Sequence, residues 1–170
     1  MKPLVILAAL TGFFALACTA ATTPGTVPPE GSEERLAPNF SFSLYQGEEI
    51  LGSEIKQLSQ LRGTPVVLNF WAQLCPPCWA EMPELQEFSE EFQDEVNVLA
   101  IDIGQFTGFG PTRDPSGLLD SLGITYPTGF TNDGVVVKQY EILAMPTTVF
   151  IDGRGGVFHK WTGALDRDIV

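Results

Sequence analysis

Cys75-Pro76-Pro77-Cys78 lies between two segments of different periodicity. The run before it, residues 65–72, is rich in β-branched and aromatic residues, which predicts a buried strand. After it, apolar positions recur at helical spacing and predict a helix over residues 76–92. Two cysteines in the first turn of a helix that follows a strand can cycle between a dithiol and a disulfide. The segment therefore predicts a redox-active cysteine pair.

The place of each cysteine in the helix predicts its role. A thiolate attacks a disulfide, and the free N–H groups and dipole at a helix start stabilise an anion there. Cys75 is thus the predicted nucleophile, open to solvent, and Cys78, one turn deeper, is the predicted resolving thiol. Pro76 and Pro77 suit the first helical positions and remove two N–H donors that could have faced the Cys75 sulfur. We expect both prolines to contact the substrate.

A CxxC pair also has other uses in proteins. Structural zinc needs about four N or S ligands, and outside the pair the sequence offers only Cys18 and His159, so zinc is disfavoured. His159 is assigned no role, and no metal or other cofactor is expected beyond a redox-active Cys75–Cys78 disulfide. A copper-carrying pair stays open, because soft thiolates favour Cu(I). A static disulfide would close too small a loop to add much stability, and a redox-silent binding module would not need both cysteines.

Composition limits the class of protein. The chain of 170 residues is 44% hydrophobic and 18% charged, which fits one globular domain with a leader. With 21 acidic against 9 basic residues, the net charge is −12. No basic patch is visible, so nucleic-acid binding is disfavoured. The acidity by itself predicts no partner.

Residues 1–18 have the pattern of a targeting segment. Lys2 precedes a largely apolar run over 4–16, which is short for a membrane-spanning helix. Cys18 directly after such a run resembles a bacterial lipoprotein signal, in which the cysteine is lipidated. That pattern prefers leucine where Ala15 stands, so cleavage of an Ala-x-Ala site or an uncleaved anchor also stays open. In each case the rest of the chain is predicted to be exported.

The remainder divides into a tether and one domain. Residues 19–37 are rich in Thr, Pro, Gly, Glu and Ser and predict a flexible linker. Over 38–170, strands and helices alternate, which predicts an α/β domain with a central mixed sheet flanked by helices. Besides the strand and helix around the CxxC, the predicted elements are an N-terminal β-hairpin of 40–44 with 50–51, a short turn over 58–62, a central strand over 96–103, a helix over 114–122, an undecided element over 135–140, a hairpin of 147–151 with 156–161, and a helix from 165 onward.

Four separate motifs occur in an order that resembles the TlpA/ResA group of exported thioredoxin-like proteins. They are Asn69-Phe70-Trp71-Ala72, the CxxC, Glu81-Met82-Pro83 and Met145-Pro146-Thr147-Thr148. The resemblance covers roughly residues 38–165. It implies a thioredoxin-like fold and a thiol–disulfide oxidoreductase.

The resemblance also implies roles for residues outside the pair. Pro146 matches a cis-proline that faces the CxxC and leaves the backbone of Met145 open to an extended substrate. Asn69 stands where thioredoxins proper carry a buried aspartate, and Glu81 matches a glutamate that relays the proton of the second cysteine. Trp71 is retained and is expected, with Met145, to contact substrate. Leu74 replaces a tryptophan that many members have before the nucleophile.

The resemblance further implies a physiological setting. Relatives are mostly reductants tethered outside the cytoplasm, which keep protein thiols such as those of apocytochrome c reduced for cytochrome c biogenesis. The implied partners are these substrates and a membrane electron donor of the CcdA/DsbD kind, with the protein a membrane-anchored monomer. A glycine-rich loop over 106–111 is a candidate border of the substrate groove. A peroxiredoxin shares the fold but carries Thr or Ser where Ala72 stands, so antioxidant peroxidase activity is the less favoured alternative.

Overall fold

The structure is a computed structural model that describes residues 35–52, 56–110 and 114–166. By their contacts, all described residues belong to one compact unit. The leader, Cys18 and most of the predicted tether lie outside the described residues, as does most of the helix expected from residue 165 onward.

A six-stranded mixed sheet forms the centre of this unit, with strand order β1-β4-β3-β2-β5-β6. Strands β2, β3 and β4 run parallel to one another, whereas β1, β5 and β6 each pair antiparallel with a neighbour. The elements are β1 (Ser43–Gln46), α1 (Glu48–Leu51), a 3₁₀ turn (Leu58–Leu61), β2 (Val66–Trp71), α2 (Pro76–Glu91), β3 (Asn97–Asp102), α3 (Gly104–Thr107), α4 (Ser116–Leu122), β4 (Thr128–Phe130), α5 (Val135–Gln139), β5 (Thr147–Ile151) and β6 (Val157–Thr162). The predicted α/β architecture is confirmed.

Strand β2 is central and buried along its whole length. Because side chains alternate along a strand, Leu68 and Phe70 enter the core on one face of the sheet. Val67 and Trp71 enter the core on the other face, where the buried side of α2 contributes Met82. The two faces together hold β2 in place, and its carboxyl end therefore fixes where the CxxC begins.

The expectation of an N-terminal hairpin is wrong. Ile50 and Leu51 lie in the short helix α1, whose first backbone hydrogen bonds run to the carbonyl of Gly47. Gly47 has φ of +88°, a left-handed conformation that ends the strand and turns the chain into the helix. Strand β1 pairs instead with β4, a strand that the sequence does not predict.

The folded region begins before residue 38. The N–H of Ala37 donates to the carbonyl of Gly155 at 2.8 Å, and the N–H of Val157 donates to the carbonyl of Arg35 at 2.9 Å. The tether was predicted to end at Ala37, but the chain is part of the fold from Arg35 onward. The undecided element over 135–140 is the helix α5, and the predicted β5–β6 hairpin is confirmed.

Candidate active site

The site forms where β2 ends and α2 begins. Cys75 immediately precedes α2, and Pro76 and Pro77 occupy its first two positions. The N–H of Cys75 donates to the carbonyl of Ala72 at 3.2 Å, and the N–H of Cys78 donates to the carbonyl of Cys75 at 2.9 Å. These bonds turn the chain so that the two sulfurs meet. Cys75 and Cys78 form a disulfide, with their Cα atoms 5.3 Å apart.

The expectation that Cys75 is open to solvent is wrong for this disulfide form. Its exposed fraction is 1%, against 0% for Cys78. The reason is that the Cys75 sulfur turns inward to bond Cys78, within the buried cluster beneath α2. The surface beside the pair is made instead by Leu74, which is 61% exposed, and by the exposed Pro76 and Pro77.

Trp71 does not reach the surface. Its exposed fraction is 0%, because it ends the central strand β2 and points into the buried cluster that contains both cysteines. The expectation that Trp71 contacts substrate is therefore contradicted for this form. Its indole Nε1–H is buried and has no hydrogen-bond partner among the described residues.

The predicted loop over 106–111 borders the active-site turn. Its first residues belong to the short helix α3, and Pro111 lies outside the described residues. Leu74 packs on the backbone of Gly110, since a Cβ atom at Gly110 would lie 2.8 Å from the Leu74 Cδ1. Phe109, 38% exposed, precedes that contact. The loop thus extends the apolar surface that begins at Leu74.

The Met145–Pro146 peptide bond is cis, as predicted. Met145 is half-buried and packs against the cluster that contains both cysteines. The carbonyl of Pro146 accepts a bond from the N–H of Gly163 at 2.9 Å. Within the described part of the chain, the backbone N–H and carbonyl of Met145 bond no other backbone group. They are available to an added extended segment, as the resemblance implies.

Glu81 is a buried carboxyl one helical turn after Cys78. Its exposed fraction is 0%. Its Oε1 accepts a hydrogen bond from the Asn69 Nδ2 at 2.7 Å, and its Oε2 accepts one from the backbone N–H of Leu165 at 2.8 Å. Burial raises the pKa of the Glu81 carboxyl to about 7, and the two hydrogen bonds offset only part of that rise. The alternative of a surface glutamate is excluded.

Asn69 connects Glu81 to the strand that follows the cis-proline. Its Nδ2 also donates to the hydroxyl of Thr148 at 2.9 Å, while its Oδ1 is buried without a partner among the described residues. A carboxyl that titrates near neutral pH can accept a proton and release it again under working conditions. The arrangement can therefore serve proton transfer at the resolving cysteine. The sequence does not indicate that Thr148 and Leu165 complete this network.

The described residues contain no group of three or more His, Cys, Asp or Glu side chains placed to hold a metal ion. His159 lies exposed on β6, with its ring centroid 5.6 Å from that of Phe150. Likewise, no helix in the described ranges is both long and apolar enough to cross a membrane.

A model of the AhpC/TSA family matches residues 34–160. That range runs from the first described strand pairing through the CxxC and the cis-proline to β6. The chain belongs to the AhpC/TSA family. Within it, the resemblance to the TlpA/ResA group is confirmed by curated relatives named thiol-disulfide oxidoreductase ResA.

The ResA of Oceanobacillus iheyensis is 35% identical over 75% of this chain. The chain covers 64% of that relative's length. The ResA of Bacillus subtilis is 29% identical, and the alignment covers 83% of this chain and 72% of the relative.

Solved structures give the same fold. A putative thiol:disulfide interchange protein DsbE from Chlorobium tepidum superposes with a TM-score of 0.62 at 25% identity, over 78% of this chain and 86% of its own. The pneumococcal exposed lipoprotein thioredoxin Etrx1 from Streptococcus pneumoniae has a TM-score of 0.60 at 25% identity, over 76% of this chain and 94% of its own. The thioredoxin-like fold is confirmed.

Proposed function

We propose that this protein is a thiol–disulfide oxidoreductase that exchanges two electrons between its Cys75–Cys78 pair and cysteines of other proteins. The observation that carries the proposal is the disulfide at the start of α2, beside the cis Met145–Pro146 peptide. Names of the relatives point to the same chemistry. No cofactor is needed, because the two sulfurs themselves hold the electrons.

The reaction has two exchange steps. In the reduced protein, the Cys75 thiolate attacks one sulfur of a substrate disulfide, and the other substrate sulfur leaves as a thiolate. The Cys78 thiolate then attacks the Cys75 sulfur, which releases the second substrate thiolate and forms the Cys75–Cys78 disulfide. Two electrons pass from the protein to its substrate. The reverse sequence oxidises a substrate dithiol.

Glu81 supplies proton transfer in the second step. Cys78 is fully buried and must lose its proton before it can attack. Glu81 lies three residues further along α2 and is ionised for about half the molecules near pH 7. It accepts the Cys78 proton on oxidation and returns it on reduction.

The protein is exported and held at the bacterial membrane through its N-terminal segment. Support comes from the leader pattern ending at Cys18 and from the likeness to a pneumococcal protein described as an exposed lipoprotein. With Cys18→Ser, we expect the protein to move from the membrane fraction to the soluble extracytoplasmic fraction, while Cys78→Ser stays in the membrane fraction. Equal membrane retention of the Cys18→Ser variant would show that a lipid on Cys18 is not needed to hold the protein at the membrane.

The proposed role is reduction of protein disulfides outside the cytoplasm, with apocytochrome c as substrate and electrons from a CcdA/DsbD-type membrane protein. The resemblance to ResA supports this role. Direction is set by the reduction potential of the pair against that of the compartment. A pair more reducing than its substrate's cysteines donates electrons to them.

Equilibration in glutathione buffers tests the proposed activity. We expect one reversible transition that fits a two-electron exchange between the Cys75–Cys78 dithiol and disulfide. The transition is measured by thiol alkylation of samples quenched at each ratio of reduced to oxidised glutathione. Cys78→Ser is the control and should show only mixed disulfides with glutathione. A wild-type protein with no reversible transition would refute the proposal. Tight one-to-one binding of Cu(I) by the reduced protein, without disulfide exchange, would favour the copper-carrier alternative instead.

A further inference from the structure

A second buried carboxyl group lies next to the active-site turn. Asp102 is the last residue of β3, pairs in register with Trp71 at the end of β2, and is 1% exposed. The exchange reaction described above does not use it. A carboxylate is costly to bury unless hydrogen bonds compensate it, so its contacts indicate what it does there.

Its two oxygens hold three different segments. Oδ1 accepts the backbone N–H of Gly104, in α3, at 2.8 Å. Oδ2 accepts the side-chain Nε2–H of Gln73 at 2.9 Å. The hydroxyl of Tyr45, in β1, donates to the same Oδ2 at a longer 3.5 Å. The bond to Gln73 reaches into the turn that carries Cys75.

That turn is short and closely packed against Asp102. Gln73 lies inside the loop closed by the bond from the Cys75 N–H to the Ala72 carbonyl. A Cβ atom placed on Gly104 would lie 3.1 Å from the Ala72 Cβ and 3.2 Å from the Asp102 Oδ1. The Gly104 backbone therefore lies close to both Ala72 and the Asp102 carboxylate. Through the bond to Gln73, a change at Asp102 reaches the turn.

The described groups around Asp102 are neutral or acidic. Tyr45 on β1 and Gln73 in the turn bond it, α3 presents only a backbone N–H, and among the described residues no ion pair involves it. The carboxylate of Asp114 lies further out, close enough to raise the pKa of Tyr45. Burial raises the pKa of Asp102 itself, while its hydrogen bonds oppose that rise.

We propose that Asp102 is a positioning residue for the redox pair, which fixes the turn carrying Cys75 through Gln73 and opposes ionisation of the Cys75 thiol by its negative charge. The inference rests on the proposed oxidoreductase function. Two effects follow from it. Loss of the Asp102 charge favours the Cys75 thiolate, whereas loss of the bond to Gln73 loosens the turn.

The test compares three variants of the full chain. In reduced Asp102→Asn, we expect the pH midpoint of Cys75 alkylation by iodoacetamide to fall by about half a unit, because a nearby negative charge is removed. Gln73→Met keeps that charge, so it should leave the midpoint unchanged while lowering kcat/KM for a protein disulfide about fivefold, because its hydrogen bond to Asp102 is lost. Asp114→Asn is the matched control for removal of an exposed carboxylate and should change neither quantity.

The outcomes separate this inference from the proposed function. If Asp102→Asn lowers thermal stability but leaves the alkylation midpoint and kcat/KM at wild-type values, the inference is wrong. If Asp102→Asn does not fold, an unchanged kcat/KM in Gln73→Met is enough to refute it. Failure of the wild type to exchange disulfides would instead refute the oxidoreductase function.

Discussion

Replacing Cys75 by serine is expected to lower turnover of a protein disulfide by at least about a thousandfold, because the attacking thiolate is removed. Replacing Cys78 by serine should also stop turnover, but at a later point. The Cys75 thiolate can still attack, and the mixed disulfide then persists because no resolving thiol remains. The Cys78→Ser protein should accumulate one covalently attached partner per molecule.

Non-reducing electrophoresis and intact mass of both variants check this prediction. The adduct should appear with Cys78→Ser, disappear on reduction, and be absent with Cys75→Ser. Cys18→Ser is the control for the remaining cysteine and should turn over at the wild-type rate. Adduct formation by Cys75→Ser instead would show that the two roles are reversed.

Burial does not distinguish the two sulfurs, so this experiment decides which cysteine is the nucleophile and which is the resolving thiol. Both cysteines are almost completely covered in the disulfide form. The assignment rests on chain order, since Cys75 precedes the helix and Cys78 lies within its first turn. Trapped partners would also test the proposed role, because recovery of apocytochrome c from cells would identify the pathway directly.

The parts of the fold that follow from local pattern could be predicted from sequence. Strand β2 and helix α2 have clear apolar periodicity, and the β5–β6 hairpin is marked by a turn segment rich in glycine. Each of these elements occurs where it was expected. The cis Met145–Pro146 bond followed from the resemblance, because its motif stands at a fixed place before β5.

Strand β4 was missed because its middle residue argues against a strand. Glycine is depleted in strands, yet Gly129 is required here, since a Cβ atom at this position would collide with the backbone carbonyl of Ser43 in β1. The close approach of two strands far apart in sequence thus selects the residue. Glycine at position 47 is likewise selected by its backbone. Its left-handed conformation turns the chain into a helix where a hairpin was expected.

The environment of the site depends on contacts between distant residues. Helical spacing placed Glu81 one turn after Cys78, but its burial and its bond from Leu165, 84 positions away, could not be read from spacing. The bond between Tyr45 and Asp102 spans 57 positions. Local sequence therefore predicts candidate groups for the chemistry, and the tertiary structure determines their electrostatics.

Glu81 is expected to make the stability of the protein depend on pH in a specific direction. Its pKa in the folded protein is about 7, whereas the ordinary value is 4.5. The folded state therefore binds more protons than the unfolded state between these two values. The free energy of unfolding contributed by Glu81 is highest below pH 4.5, decreases as pH rises through about 7, and is constant above that. The total change is about 3 kcal/mol.

Glu81→Gln should remove this contribution. Glutamine resembles the neutral carboxyl in shape, and its Oε1 can keep the bond from the Leu165 N–H. Rotation of the Asn69 amide would turn its Oδ1 toward the new side-chain NH₂ group, but it would place the Asn69 NH₂ where Oδ1 now lies buried without a partner among the described residues. That cost lowers the stability of the variant equally at all pH values. The free energy of unfolding of Glu81→Gln minus that of the wild type should therefore increase by about 3 kcal/mol as the pH rises from 4.5 to 8.5.

Urea unfolding of the oxidised proteins at several pH values measures this difference. Glu84→Gln, the same substitution at a partly exposed position on α2, is the matched control and should follow the wild type. Because the proposed function has Glu81 accept the proton of Cys78, Glu81→Gln should in addition shift the pH dependence of alkylation at Cys75 and Cys78 in the reduced protein. If the difference in the free energy of unfolding between Glu81→Gln and the wild type is the same at all pH values, the buried carboxyl does not titrate near neutrality. Unchanged alkylation profiles would exclude the proton-relay role, even if the stability effect is found.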